Sequence, residues 1–156
     1  FISDVSHLTW LPDRPYTAGE WGYVNGKGRS TTSEIYNTVD GPVYQTWMED
    51  ITEYKIDAPA GTYEVELLMA DVSRPARQQA NLLGKGDERA SAVSKRFDIT
   101  ICGEVVEQNF SPADNNRYLN ACRRRYIVNN NDGCIDIRFT PLQGKPVLSG
   151  LKVRRL

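Results

Sequence analysis

The sequence predicts an all-β fold, a jelly-roll β-sandwich of two antiparallel sheets, and three observations carry that expectation. Apolar and polar residues alternate along several short runs, which is the period of half-buried strands. Glycine, proline, asparagine and aspartate punctuate those runs at turn spacing. Helical periodicity is confined to one short, weak stretch, Ala76 to Leu83. Many short strands with almost no helix make a sandwich rather than an α/β layer.

Each element follows in order. Phe1 to Val39 is the least regular part, rich in aromatics and glycine, and Pro12 and Pro15 limit strand length there. It reads as one or two strands joined by ordered loops, with His7 in a strand-like start. Tyr44 to Trp47 reads as strand, and Ala58-Pro-Ala-Gly61 ends one strand before the next begins. In that next strand Tyr63, Val65, Leu67 and Met69 share a face. Glu64 and Glu66 begin the other face, which turns apolar at Leu68 and Ala70. The strand is therefore expected to run from an exposed edge into a covered region. A polar, charge-mixed connection from Asp71 to Lys95 follows, longer than the roughly 12–15 residues of ordinary loops. Phe97, Ile99 and Ile101 alternate next, and Cys102-Gly-Glu104 is a tight reversal. Arg123-Arg-Arg125 is a local basic patch, read as a solvated strand start or a docking surface. Tyr126 and Val128 follow, and Asn129 to Gly133 carries the Asn/Asp-Gly signal of a hairpin. The series closes with Ile135, Ile137 and Phe139, then Leu151 and Val153.

A length of 156 residues is that of a single domain, 1–156, able to bury a real core. With 19 basic and 20 acidic residues the net charge is −1, which offers no attraction for nucleic acid or an anionic membrane. The sequence begins at Phe1 without a start methionine or signal peptide and reads as an excised domain or processed fragment. Cys102, Cys122 and Cys134 have no metal-ligand spacing; Cys102 and Cys134 read as small buried groups in strand-like runs, and one disulfide plus a free thiol stays open.

Catalytic chemistry is poorly supplied. One histidine, His7, serves any Ser-His-Asp or Cys-His arrangement, and no nucleophile elbow surrounds it. Gly26-Lys-Gly28 lacks the strand-to-helix context of a phosphate loop. Acidic neighbours such as Glu49 with Asp50 and Asp87 with Glu88 read as solvated side chains rather than a facing glycosidase pair. No cofactor is expected, although Asn129–Asp132 or the surroundings of Asp71 offer oxygens for a structural calcium ion.

What remains are aromatic and amide side chains in loop-like context. Their ring faces suit the C–H face of a pyranose, and neighbouring carboxylates and amides suit its hydroxyls. The aromatic candidates are Tyr16, Trp21, Tyr23, Tyr36, Trp47 and Tyr118, with polar partners Asp13, Asn25, Asp71, Arg74, Asn115 and Asn116. Core packing competes for Tyr44, Trp47 and Trp10, and is the reading for Tyr63 and Tyr126. For Tyr16, Trp21, Tyr23 and Tyr118, binding and loop anchoring weigh equally.

An ordered set of motifs resembles the malectin-like domain. The set is Tyr44-Gln-Thr46, Pro59-Ala-Gly-Thr-Tyr-Glu-Val65, Met69-Ala-Asp71, Arg96-Phe-Asp-Ile99 before Gly103, Asn109-Phe110 and Leu148-Ser-Gly-Leu-Lys-Val153. Asp13-Arg-Pro-Tyr-Thr17 with Trp21-Gly-Tyr23 is similar to the version appended to bacterial family 2 glycoside hydrolases of β-galactosidase type. The resemblance implies a jelly roll, a periplasmic or extracellular setting, carbohydrate binding and no catalysis within the domain. Where malectin has an aromatic pair after a strand, this chain has Val72-Ser73-Arg74; where malectin has an aspartate before the last strand, it has Leu142-Gln-Gly-Lys145. The expectation is a non-catalytic accessory domain, a C-terminal fragment of a larger glycoside hydrolase, binding a glycan or polysaccharide through Asp13, Tyr16, Trp21, Tyr23, Trp47 and Asp71. The alternative is a structural domain that packs on the catalytic domain of the same chain and orients it without binding sugar.

Overall fold

A computed structural model of the chain describes residues 1–73, 94–114 and 117–156. Eleven strands and one helical turn make up the described fold: β1 Trp21–Val24, β2 Lys27–Ser30, α1 Gly41–Tyr44, β3 Thr46–Glu49, β4 Glu53–Asp57, β5 Gly61–Met69, β6 Arg96–Ile101, β7 Glu104–Phe110, β8 Cys122–Asn130, β9 Cys134–Gln143, β10 Val147–Leu148 and β11 Gly150–Arg155. They form two layers. One is a five-stranded sheet in the order β1-β4-β9-β6-β7. The other comprises β10-β3-β2 and β11-β5-β8, which meet where the Ser149 N–H donates to the Leu68 carbonyl at 2.8 Å. All strand pairs are antiparallel, so the fold is the expected all-β sandwich.

The alternation read from the sequence places the core. Val65, Leu67 and Met69 of β5 face Phe97, Ile99 and Ile101 of β6 and Ile135 and Ile137 of β9, all fully buried. Phe97 meets Phe110 and Phe139 edge-on, at centroid distances of 5.7 and 6.0 Å. Burying each such side chain contributes about 1.5–3 kcal/mol. The second face of β5 behaves as its sequence predicts, since Leu68 and Ala70 join a smaller cluster with Ile35, Val43, Tyr44 and Leu119.

Several elements differ from expectation. Tyr44 ends the single helical turn α1, because Pro42 in its first turn favours helix entry over strand. Trp21 and Tyr23 lie on β1 and not in a loop. His7 is exposed in the N-terminal loop, at a φ of +58°, and not in a strand. Cys102 occupies the β6–β7 turn with Gly103, both at positive φ (+51° and +82°), which is the geometry of a two-residue hairpin. All three cysteines are free thiols. The Asn129–Gly133 turn is not a hairpin: β8 and β9 belong to different layers, so it is an arch that carries the chain across the sandwich. Ala58–Ala60 likewise carries the chain from β4 in one layer to β5 in the other. Asn130, 1% exposed, staples the arches by donating to the Ala58 and Pro59 carbonyls at 3.1 and 3.3 Å. The weak helical stretch Ala76–Leu83, Arg74, Asn115 and Asn116 lie outside the described residues.

Candidate functional site

The chain has three tryptophans, and all three line one groove of about 670 Å³. The groove opens between β1 and β4 of one layer and β3, β10 and β11 of the other, where the sandwich has free edges. Inward-facing Ile56, Leu151 and Val153 form its floor.

Two chain segments complete its walls. The N-terminal loop folds back on itself, with the Trp10 N–H donating to the Phe1 carbonyl at 2.7 Å and the terminal ammonium donating to the Trp10 carbonyl at 3.0 Å. The Ser3 hydroxyl donates to Asp40 and ties that loop to the start of α1. The second segment, Asp13 to Tyr16, crosses β1 at Gly22. A β-carbon there would collide with the backbone of Arg14, Pro15 and Tyr16, so only glycine lets the strap lie flat on the strand.

The strap sets both charge and aromatic faces. The Arg14 guanidinium stacks 4.1 Å from the Trp21 ring and donates to the Trp21 carbonyl at 3.3 Å. The buried Tyr54 hydroxyl donates to Asp13 Oδ1 at 2.8 Å, beside the Arg14 N–H at 2.9 Å. Protein mass around the Asp13 carboxyl displaces water and raises its pKa above the ordinary aspartate value of 3.8, while those two donors pull it down. Burial raises the Tyr54 phenol, with the Asp13 charge adding to the effect.

The six residues nominated by the sequence fall into three places. Asp13, Trp21 and Trp47 share the groove. Tyr23 packs against the core beside it. Tyr16 ends the strap outside the groove, where its hydroxyl donates to Asp57 Oδ2 at 2.8 Å and Lys55 Nζ sits 5.4 Å from its ring. That bond to the Asp57 carboxylate, more than burial, pushes the Tyr16 phenol up to about 12.

Asp71 stands apart from the groove and is fully buried. Its carboxylate takes the Lys95 ammonium at 3.3 Å, the Ser73 N–H at 3.0 Å and the Ser73 hydroxyl. Ser73 of the first stretch that departs from malectin and Gln143 of the second both reach this edge of the sandwich. Gln143 Nε2 donates to the Ser94 carbonyl at 2.8 Å, and Ser94 shares a 3.2 Å hydrogen bond with Tyr118. An internal ion pair thus occupies the region in which the sequence resemblance places malectin's ligand groups.

Sequence reasoning missed Trp10, Ser149 and Lys152 as groove residues. Trp10 has apolar neighbours in the sequence, which is a packing signal; its half-burial between loop and groove is set by the N-terminal fold-back. Trp10 Nε1 and Ser149 Oγ are buried with no hydrogen-bond partner among the described residues. A second cavity, of about 980 Å³, is polar, lined by Asn37, Asp40, Arg117, Asn120 and Arg123, and contains none of the six nominated residues.

Comparison with known proteins fits this geometry to a family. The family model described as Malectin domain matches residues 2–150. A Bacteroides uniformis β-glucuronidase is 42% identical with a TM-score of 0.86; the match covers 100% of this chain and 17% of that enzyme. A structure titled B. uniformis β-glucuronidase 2, covalently bound to cyclophellitol-6-carboxylate aziridine, is likewise 42% identical at a TM-score of 0.86, over 100% of this chain and 16% of that one. The plant receptor-like kinase FER shares the fold at a TM-score of 0.72 and 16% identity, over 99% of this chain and 39% of its own. No curated protein matches the chain. The chain therefore spans about a sixth of the bacterial enzymes it resembles, and it belongs to the malectin domain family.

Proposed function

We propose that this domain is a non-catalytic, glycan-binding accessory module of a periplasmic or extracellular glycoside hydrolase. Trp10, Trp21 and Trp47 would offer ring faces to a sugar, Asp13 would accept its hydroxyls, and no cofactor takes part. The observation that carries this reading is the gathering of every tryptophan of the chain, with one exposed carboxylate, around a single open groove. Aromatic faces with a few placed polar groups are what sugar recognition uses. Tyr16 and Asp71 belong to this proposal only as supports, the first for the strap and the second for the far end of the sandwich. The enzymes matched over the whole chain are β-glucuronidases, so we further propose a parent enzyme of that kind, rather than a β-galactosidase, acting on glycans that carry uronate.

A glycan array followed by calorimetry tests the module on its own. Trp47→Ala should weaken the best neutral ligand by about tenfold or more, the scale of losing one central aromatic contact. Absence of binding across the array, or an affinity untouched by Trp47→Ala, would refute the groove as a sugar site.

A second reading is favoured by the aliphatic floor of the groove, where Ile56, Leu151 and Val153 resemble a surface for protein packing. In that case the groove receives the catalytic domain of the parent chain. A loss of thermal stability of the full enzyme in Trp47→Ala, with glycan binding absent, would select it.

A further inference from the structure

The Arg123–Arg125 run is unused by the groove, and the structure gives it a form that the sequence does not show. Strand alternation splits it. Arg124 turns to the inner side of β8, 3.7 Å from Glu107 and 5.3 Å from the Phe110 ring. Arg123 and Arg125 point outward. On that outer face β5 lies between β8 and β11, and the register sets Glu66 opposite both Arg125 and Lys152, and Glu64 opposite both Ile127 and Arg154. Glu66 pairs with Arg123 at 3.4 Å, Arg125 at 3.6 Å and Lys152 at 3.9 Å; Glu64 pairs with Arg154 at 3.2 Å and Arg125 at 3.9 Å.

The exposures are unequal in a way that decides the sign of the surface. The glutamate side chains are 5% and 20% exposed, whereas the four cations are 44–69% exposed. The acids form a sunken central row and the cations two raised outer rows, about 10 Å apart across two strand spacings. Four cations against two carboxylates leave an excess of two positive charges, on a chain whose net charge is −1. Ile127, 67% exposed, adds an aliphatic contact on the same face.

We propose that this face is a second binding surface, for the carboxylates of a uronate-bearing glycan. The ligand class rests on the glycan-binding reading above; the surface itself does not use the groove. The glutamates hold the cations in place before any ligand arrives, which lowers the ordering cost of binding. Arginine heads fork to carboxylates in two-point contacts. Two parallel rows on a rigid sheet suit a polymer with repeating charge, and Ile127 suits the C–H face of its rings.

The test measures binding of hyaluronan and polygalacturonate oligomers to the domain at about 20 mM and about 200 mM salt, a range over which exposed charge is progressively screened. Arg123→Gln/Arg154→Gln is the informative variant, because Arg125 still pairs with both glutamates and the fold keeps its acids neutralised. We expect polyuronate binding that weakens with salt, falls about tenfold in this variant, tightens in Glu64→Gln and is unchanged in Trp47→Ala. Lack of polyuronate binding at low salt, or equal binding of polyglutamate, overturns the proposal. So does binding lost in Trp47→Ala but kept in the arginine variant, an outcome that leaves the groove reading intact. Loss of neutral-glycan binding alone sinks the groove and leaves this face standing.

Discussion

Asp13 and Asp71 are both aspartates in loops beside strands, and the two regions treat them in opposite ways. Asp13 sits on a strap laid over β1, exposed at a groove mouth and held by one tyrosine hydroxyl and one backbone N–H. Asp71 follows β5 by two residues with no exposure, and its charge is spent on Lys95 and Ser73. The first faces solvent at the groove; the second is enclosed by its own partners. The difference teaches that a carboxylate's availability depends on which distant segment folds over it, here Tyr54 for one and Lys95 for the other.

The largest expected effect breaks the Asp71 side. Asp71→Ala leaves Lys95 mostly buried without its counter-charge and should cost about 3 kcal/mol in urea unfolding, within the range for breaking a buried pair. Asp13→Ala should cost about 1 kcal/mol, because it removes one hydrogen bond from Tyr54. Equal losses would erase the contrast. Gly22→Ala comes next: the strap must lift off β1, at about 2 kcal/mol, with sugar affinity falling alongside stability. Gly28→Ala, where no heavy atom lies within 4 Å of the added carbon, is the control and should be nearly silent.

The smallest effect sharpens the comparison within the strap. Asp57 is pulled below the ordinary aspartate value of 3.8, first by the Tyr16 hydroxyl and then by the Gly19 N–H. A lowered folded-state pKa contributes stability above the unfolded value that is lost as pH falls through the folded one. Asp13 runs the other way. Its raised pKa favours the folded state when protonated, and that contribution is lost as pH rises from 3.8 through the folded value. Carboxyl NMR titration should place Asp13 above 3.8 and Asp57 below it. Tyr16→Phe should move Asp57 upward and leave Asp13 in place. A common midpoint for both groups would contradict the desolvation of Asp13 or the hydrogen bonds to Asp57.

The fold was legible because strand period is a local signal. Tyr63 to Met69, Phe97 to Ile101 and Ile135 to Phe139 point inward as their alternation requires, and the apolar turn at Leu68 and Ala70 marked the covered half of β5. Cross-layer connectivity was not legible. Asn129 to Gly133 carries hairpin chemistry, yet whether β9 pairs with β8 or with β4 is decided by contacts far along the chain. The candidate site was half legible for the same reason. Aromatic type nominated Trp21 from a loop-like context and Trp47 from a strand-like one against competing core packing, but Trp10 reaches the groove only because the N-terminal loop folds back. Tyr16 reads as a loop aromatic whether or not Asp57 waits for its hydroxyl.

The Asp71–Lys95 pair has one further consequence. It clasps the chain where it leaves β5 and where it returns to β6, so Asp71 and Lys95 hold these two points of the chain side by side at one edge of the sandwich. Lengthening a closed loop costs only about 0.6 kcal/mol per doubling. A flexible insertion between Ser73 and Ser94 is therefore expected to cost little, with urea unfolding of such a variant as the check. The clasp makes this edge of the sandwich an insertion port, a place where an unrelated segment can be grafted while the strands keep their register.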